Sequence, residues 1–373
     1  PCDIKQNQFE KLNEIHQFDF VIYDDFISEL IYKIGYESKS FSISKIDFLI
    51  NNIDSIKVSN LKFNRNYTGR IVVLTAGTTG VSKIASRKTN PFAFVIPFYE
   101  LIHRLHLTKY KSVYVAIPLY HGFGISAFFV SYILGQKVFM DEKFDAKKVC
   151  LKIKENQIET ICLVPTILQR LLNSDDSSLN NLKCIVSGGS ALNKETVLRI
   201  QNELGNILFN LYGTSEAGFC FIANPNDLMQ FPETIGKPIS KVNLKFIRIE
   251  NSDGLNELQI KCDWSICSNE WIRTGDLIYK NDFGFYFLKG RVDDMIISGG
   301  ENVYPIEIEN CILEHPLVSE VVVIGISDLE FGQRLIAFVY ASENMKESQL
   351  RNWLSERLQR FQMPKSIYFV SEI

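Results

Sequence analysis

Leu74-Thr75-Ala76-Gly77-Thr78-Thr79-Gly80-Val81-Ser82-Lys83 is the stretch on which the reading of this chain turns. An apolar run at residues 71–74 leads into it and predicts a short buried strand. The chain then passes through two glycines and three threonines and ends on a cation. Glycine lets the backbone come close to a ligand and adopt positive φ. Successive N–H groups in such a turn form a concave anion site, to which threonine hydroxyls add donors and Lys83 adds charge. The stretch is therefore a candidate polyphosphate grip. A solvated strand-to-helix turn accounts for the same residues without any chemistry, because Gly/Thr clusters punctuate loops of every kind. A Walker A loop is excluded: it needs Gly directly before the Lys and Ser or Thr after it, whereas Ser82 precedes Lys83 and Ile84 follows it.

The pattern resembles the phosphate-binding signature of the adenylate-forming superfamily, which comprises acyl-CoA synthetases, peptide-synthetase adenylation domains and luciferases. The family's signature reads Thr-Ser-Gly-Thr-Thr-Gly-x-Pro-Lys; Ala76 stands at its second position and Ser82 at its proline.

Composition is that of an ordinary globular protein. The chain has 373 residues, 46% hydrophobic and 22% charged, which is long enough for two or more domains with full cores. A net charge of −3 gives no electrostatic reason to expect nucleic acid or an anionic membrane as partner. The 27 Phe and 15 Tyr suit aromatic cores first and an apolar substrate tunnel second. Eight scattered cysteines without a C-x-x-C pair argue against a structural zinc site and for buried free thiols in a reducing, cytoplasmic compartment. No apolar stretch reaches the ~18 residues of a membrane-spanning helix.

Residues 1–69 carry no evident chemistry: a strand is predicted at 20–23, a short helix at 26–34 and a polar surface segment at 37–66. After Lys83 the pattern predicts a helix near 91–105 and a strand at 112–117. Pro118-Leu119-Tyr120-His121-Gly122-Phe123-Gly124 follows. Gly122, Gly124 and Ala127 satisfy G-x-G-x-x-A, and Asp141 lies near the spacing of a ribose-binding acid, so a dinucleotide-binding unit is a local alternative. Pro118 and His121 argue against it by inserting a kinked extra turn. A basic amphipathic helix, a strand at 160–164, a helix opened by Pro165, a polar loop at 175–181 and a strand at 183–186 come next. That strand runs into Ser187-Gly188-Gly189-Ser190, and a helix follows at 194–204. Repeated strand, glycine turn and helix predict an α/β fold with its sites at the C-terminal ends of strands.

Leu211-Tyr212-Gly213-Thr214-Ser215-Glu216 is the second signature. Physically, Tyr212 offers an aromatic face for a purine, Gly213 a close backbone approach and Glu216 a carboxylate for Mg²⁺. A β-rich stretch follows, with a hairpin at 244–261, then Trp271-Ile272-Arg273-Thr274-Gly275-Asp276 and Lys289-Gly290-Arg291-Val292-Asp293-Asp294. A turn is expected at Lys289-Gly290. Gly299-Gly300-Glu301-Asn302 precedes a helix with Pro305 at its first position, and two strands, a helix at 347–359 and a strand at 366–370 close the chain.

The resemblance covers roughly residues 70–373, with five motifs in the family's order. It implies a large α/β domain with a β-rich part over 1–292, shortened at its N-terminus relative to the family. A small mobile α+β domain over 293–373 would swing about Asp293. It implies that Thr75, Ala76, Gly77, Thr78, Thr79, Gly80 and Lys83 hold the phosphates of ATP. Gly189, Ser190, Tyr212, Gly213, Thr214 and Ser215 would bind the rest of the nucleotide, with Asp276 and Arg291 on the ribose and Glu216 on Mg²⁺. His121, Gly122 and Gly189 would line the acyl site, and Gly299 and Gly300 the thiol entry. Lys83, His121 and Glu216 are the expected catalytic residues. The family's closing lysine is expected beyond Ile373. The implied activity is ATP-dependent conversion of a carboxylic acid to an acyl-adenylate and then to a CoA thioester. Transfer to a carrier protein's pantetheine is the alternative enzyme, and a nucleotide-binding relic without turnover the alternative outside enzymes.

Overall fold

The computed structural model describes residues 21–23, 32, 40–42, 70–75, 83–88, 91–174, 176–249, 255–267, 270–328, 331–341 and 345–371. The chain divides into two compact units, Pro1–Tyr67 and Thr68–Ile373. In the first, β1 (Val21–Tyr23) and β2 (Ser40–Ser42) pair in parallel, Val21 opposite Ser40. Of the helix expected at 26–34 only Tyr32 is described, and it is helical; the rest of it and most of the polar segment at 37–66 lie outside the described residues.

The second unit opens with β3 (Arg70–Thr75) and β4 (Lys83–Lys88), an antiparallel pair with Thr75 opposite Lys83 and Arg70 opposite Lys88. The described residues on either side of the glycine stretch are thus two paired strands, and no helix follows Lys83 directly; residues 76–82 lie outside the described residues. The alternating backbone of residues 83–88 carries too few apolar side chains to announce a strand, and its partner β3 decides the matter. After a 3-10 turn at Pro91–Phe94, α1 covers Val95–Arg104.

The unit is built on β5 (Ser112–Val115), α2 (Gly122–Ile133), β6 (Lys137–Phe139), α3 (Ala146–Glu155), β7 (Thr160–Leu163), α4 (Pro165–Leu172), α5 (Asp176–Leu179), β8 (Cys184–Gly188), α6 (Lys194–Glu203) and β9 (Leu208–Thr214). The strands pair in parallel in the order β6-β5-β7-β8-β9. Side chains alternate along each strand, and both faces are covered, which is why the strands read as unbroken apolar runs. Val113, Val115, Cys162, Cys184 and Val186 join one core, while Tyr114, Ile161, Leu163 and Ile185 join the other with α3, α4 and α6. Local signals set the helix starts. Asp145 accepts from Lys148 N at 3.0 Å and Asn193 from Thr196 N at 2.7 Å, and Pro165 opens α4. The polar loop expected at 175–181 contains α5, because Leu179 and Ser178 are buried and Leu179 belongs to the second core.

Beyond β9 the sheet turns antiparallel through β10 (Gly218–Ala223), β11 (Thr234–Pro238), β12 (Asn243–Arg248), β13 (Asn256–Lys261), β14 (Ile272–Lys280) and β15 (Tyr286–Arg291), with α7 (Pro225–Gln230) between β10 and β11. Together they make eleven strands in the order β12-β13-β14-β15-β11-β10-β9-β8-β7-β5-β6. Gly290 lies within β15, so the turn expected at Lys289-Gly290 falls instead at residues 292–294. There follow β16 (Ile296–Ser298), β17 (Glu301–Val303), α8 (Pro305–Leu313), β18 (Val318–Asp328), β19 (Gly332–Ala341), α9 (Glu347–Ser355) and β20 (Ser366–Phe369). These five strands form their own sheet. Ile308, Ile312, Leu350 and Leu354 pack with Val323, Leu335, Ala337 and Val339 into a third core.

Candidate active site

A parallel sheet ordered 2-1-3-4-5 has its switch point where connections change faces, and ligands bind outside the C-terminal ends of the strands there. In this sheet that point lies between β5 and β7. The segment leaving β5 carries His121, the residue that caps α2 with extended backbone at φ −89 and ψ 140. It is exposed, its ring 4.5 Å from that of Tyr120, and desolvation lowers its pKa below the ordinary 6.5. α2 starts close to the strand end because residue 124 is glycine: a Cβ there would lie 2.4 Å from the Pro118 carbonyl oxygen. Next along the edge, β8 ends at Gly188 and the chain turns at Gly189 with φ +88. β9 then ends at Thr214, and the Ser215–Ala217 turn joins it to β10 with Ala217 N donating to Thr214 Oγ1 at 3.0 Å. His121, Gly122, Gly189, Ser190 and residues 213–216 thus emerge from the C-terminal ends of three parallel strands of one sheet.

Glu216 is half-buried, its backbone oxygen accepts from Ile266 N at 2.9 Å, and its carboxylate has no partner among the described residues. The dinucleotide alternative fails on Asp141. That carboxylate accepts from Tyr114 Oη at 2.9 Å and from Lys152 Nζ; these bonds outweigh the opposing desolvation and hold its pKa below the usual 3.8. It is committed to joining β5 to α3.

The antiparallel extension adds a second group. Asp276 on β14 stands opposite Arg291 on β15 in the strand register. Arg291 Nη1 donates to Asp276 Oδ1 at 2.9 Å, and Tyr212 Oη donates to Asp276 Oδ2 at 2.6 Å. Asp276 is 6% exposed, and burial raises its pKa above 3.8 while the bonds from Tyr212 and Arg291 pull it down; Asp294 opposes ionisation from outside. Burial, then Asp276, push the Tyr212 phenol well above its ordinary 10. Two residues missed in the sequence make this arrangement fit. Thr274 Oγ1 donates to Leu258 O at 2.9 Å and accepts from Asp276 N at 3.1 Å. Gly275 has φ +72, and a Cβ on it would come within 2.9 Å of Arg291 Nη2. The Thr-Gly-Asp run itself was the available signal. Arg273, two residues before Gly275, instead clamps the buried Glu257 of β13.

At the far end of β15, Gly290 lies under Tyr304, whose ring atoms a Cβ would meet at 3.1 Å. Asp293 is exposed in the turn that follows, and Gly299 and Gly300, at φ +63 and +88, turn β16 into β17. Lys83 starts β4 opposite Thr75; the other residues expected to hold phosphate, Ala76, Gly77, Thr78, Thr79 and Gly80, lie outside the described residues.

The chain thus combines a doubly wound sheet with a strand-edge glycine turn, a buried Asp276 bonded to Tyr212 and to the part-exposed Arg291, and a separate α+β tail. The family model described as AMP-binding enzyme matches residues 68–259, and that of the AMP-binding enzyme C-terminal domain matches 307–373. The chain belongs to the AMP-binding enzyme family, within the adenylate-forming acyl-CoA ligases. Among its relatives, the 2-succinylbenzoate–CoA ligase of Oceanobacillus iheyensis is 26% identical across 97% of this chain and 78% of that protein. The corresponding ligase of Listeria innocua is 31% identical across 81% of this chain and 66% of that protein. Among solved structures, the o-succinylbenzoate coenzyme A synthetase of Bacillus subtilis in complex with ATP and magnesium ion superposes with a TM-score of 0.80 at 25% identity, over 99% of this chain and 79% of that one. ATP-bound MatB of Rhodopseudomonas palustris gives a TM-score of 0.83 at 22% identity, over 100% of this chain and 79% of that one, a likeness of fold. Activation of an acid by ATP to an acyl-adenylate, followed by thioester formation with CoA, is the activity of this ligase type.

Proposed function

We infer that this chain activates 2-succinylbenzoate or a closely similar acid, with CoA as the accepting thiol. The supporting observation is the buried Asp276, bonded to Tyr212 and Arg291, in the same sheet as the glycine-bearing strand edge, and the names of the relatives support the choice of acid and of CoA over a carrier protein. A carboxylate is a poor electrophile, because its charge repels nucleophiles and oxide is a poor leaving group. Its oxygen attacks the α-phosphorus of ATP and pyrophosphate leaves. The sulfur of CoA then attacks the acyl carbon and AMP leaves.

In this reading Asp276 and Arg291 hold the ribose, Gly189, Ser190 and residues 213–215 pass along the nucleotide, and residues 75–83 with Lys83 hold the phosphates. His121 and Gly122 face the acyl group, and Gly299 and Gly300 border the thiol entry. Such groups act by positioning and by countering the charge that develops on phosphorus. Among the described residues no group of three or more His, Cys, Asp or Glu could hold a metal ion. Mg²⁺ would therefore rest on Glu216 together with phosphate oxygens and water, a donor set that suits a small octahedral cation; bound there, it neutralises phosphate charge. Residues 1–292 form the larger domain and 293–373 the smaller in this reading, a division supported by the separate sheet and core after the 292–294 turn. Cytoplasmic placement is supported by free cysteines; among the described residues no helix is long and apolar enough to cross a membrane.

The test is product analysis. With ATP, Mg²⁺, CoA and 2-succinylbenzoate, the expected products are AMP and a CoA thioester in equal amounts. Formation of ADP, or thioester only from unrelated acids, contradicts the reading.

A further inference from the structure

The Glu216 carboxylate has no partner among the described residues, so its direction is set by the backbone that carries it. That backbone is the Ser215–Ala217 turn, closed by Gly218 at φ +78. Short hairpin loops often end on such a left-handed residue, most readily a glycine. The turn is held from outside by the segment that leaves β13. Although β14, β15, β11 and β10 stand between β13 and β9, the sheet curls until residues 262–266 lie against the turn. Three carbonyls of the turn and of the start of β10 find donors there. Ile266 N donates to Glu216 O at 2.9 Å, the Cys262 thiol to Ala217 O at 3.4 Å, and Trp264 Nε1 to Phe219 O at 3.0 Å. The segment is braced in turn by Ser265 Oγ, which donates to Cys262 O at 2.9 Å. Trp264 is 2% exposed and shares the first core with Ala217, Cys220 and Cys262. An indole N–H is a full donor and a thiol a weak one, so Trp264 makes the firmer of the two side-chain bonds.

We propose that Trp264 is a positioning residue for Glu216: with the strap of residues 262–266 it fixes the β9–β10 turn, and thereby the direction in which the Glu216 carboxylate meets Mg²⁺. The proposal rests on the reading of Glu216 as the carboxylate for Mg²⁺. A carboxylate that ligates a metal is ordinarily oriented by hydrogen bonds to its own oxygens. Among the described residues Glu216 has none, and the backbone bonds from the strap take their place. A turn released at Phe219 leaves the carboxylate more directions to occupy. Fixing one of them then costs entropy when Mg²⁺-ATP binds.

The experiment is calorimetric titration of the whole chain with ATP, once with Mg²⁺ and once with EDTA. It compares wild type, Trp264→Phe, Glu216→Gln and the double variant, with thermal melts and amide hydrogen exchange alongside. Trp264→Phe keeps an aromatic ring and removes the N–H. The factor by which Mg²⁺ tightens ATP is expected to fall about two- to tenfold, the size of one neutral hydrogen bond, while affinity in EDTA is retained. On the Glu216→Gln background the substitution should lower that factor no further. Exchange in the peptide covering residues 214–219 should be faster in Trp264→Phe. If that variant melts below the titration temperature, Ser265→Ala, which loosens the same strap, is read by the same criteria. Unchanged exchange or unchanged Mg²⁺ dependence in the folded variant overturns the proposal. So does an equal loss with and without Mg²⁺, or on both backgrounds, which is the pattern of a bond that only stabilises the fold. Undiminished Mg²⁺ dependence in Glu216→Gln overturns the reading of Glu216 itself, a result distinct from the others.

Discussion

Gly275 shows how much one missing side chain decides. It holds φ +72 in the middle of a strand, and the space a Cβ would occupy is taken by the guanidinium of Arg291. Gly275→Ala therefore meets two costs: left-handed backbone, about 1–2 kcal/mol for an L-residue, and displacement of the guanidinium bonded to Asp276. The expected outcome is a lower urea midpoint together with weaker nucleotide binding. A folded variant with both properties of the wild type would mean that Arg291 is not held by this contact. Asp276 and Arg291 were singled out in the sequence through the family resemblance, because Thr-Gly-Asp and Gly-Arg are contiguous motifs that can be matched without knowing the fold. The Tyr212–Asp276 bond was not, since no local pattern announces a contact across three intervening strands. Tyr212 was accordingly read for its ring, while its hydroxyl carries the bond.

At the scale of elements, the strands of the parallel half could be read from apolar runs bounded by glycine or proline, and the helices from caps such as Asp145 and Asn193. Two elements could not. β4 exists because β3 pairs with it, and α5 exists because Leu179 reaches the core from a stretch of Asp, Ser and Asn. If α5 is a packed element, Leu179→Ala should cost about 2–5 kcal/mol, as for a buried leucine. A surface-loop leucine would cost within about 0.5 kcal/mol. Denaturant unfolding followed by circular dichroism separates the two values. The short helix thereby packs on α3 between α4 and β8 in the chain, and β8 delivers Gly188 and Gly189 to the strand edge.

At the scale of the whole Thr68–Ile373 unit, the five-stranded sheet is joined to the eleven-stranded one by the 292–294 turn, by the packing of Tyr304 on Gly290 and, among the described residues, by exposed ion pairs. Arg170 of α4 makes a two-pronged pair with Glu320 of β18, at 2.9 and 3.2 Å, and Lys289 lies 3.4 Å from Glu307 of α8. Exposed pairs of this kind are worth little each, about 0–1 kcal/mol. They are contacts that can open, unlike the third core, which keeps the smaller sheet intact. Hinges are short element-terminal segments that absorb a change in φ and ψ, and Asp293 lies in such a segment between β15 and β16. Asp293→Pro fixes φ near −65° and is expected to slow thioester formation from a supplied acyl-adenylate far more than acyl-adenylate formation. ATP affinity should persist, because Asp276 and Arg291 precede the turn. Single-turnover rates of the two half-reactions decide this, and equal losses in both would make residue 293 an ordinary turn position.

The claim that joins these scales is that the strand-edge turns and the Asp276 cluster form one site for an acyl-adenylate. Its most direct test is calorimetric titration with a hydrolysis-resistant mimic of 2-succinylbenzoyl-adenylate, in wild type and in Asp276→Ala. The account predicts one molecule bound per chain and an affinity at least about tenfold weaker in the variant, as expected for losing charge-assisted hydrogen bonds. Equal affinity in the two folded proteins would contradict it.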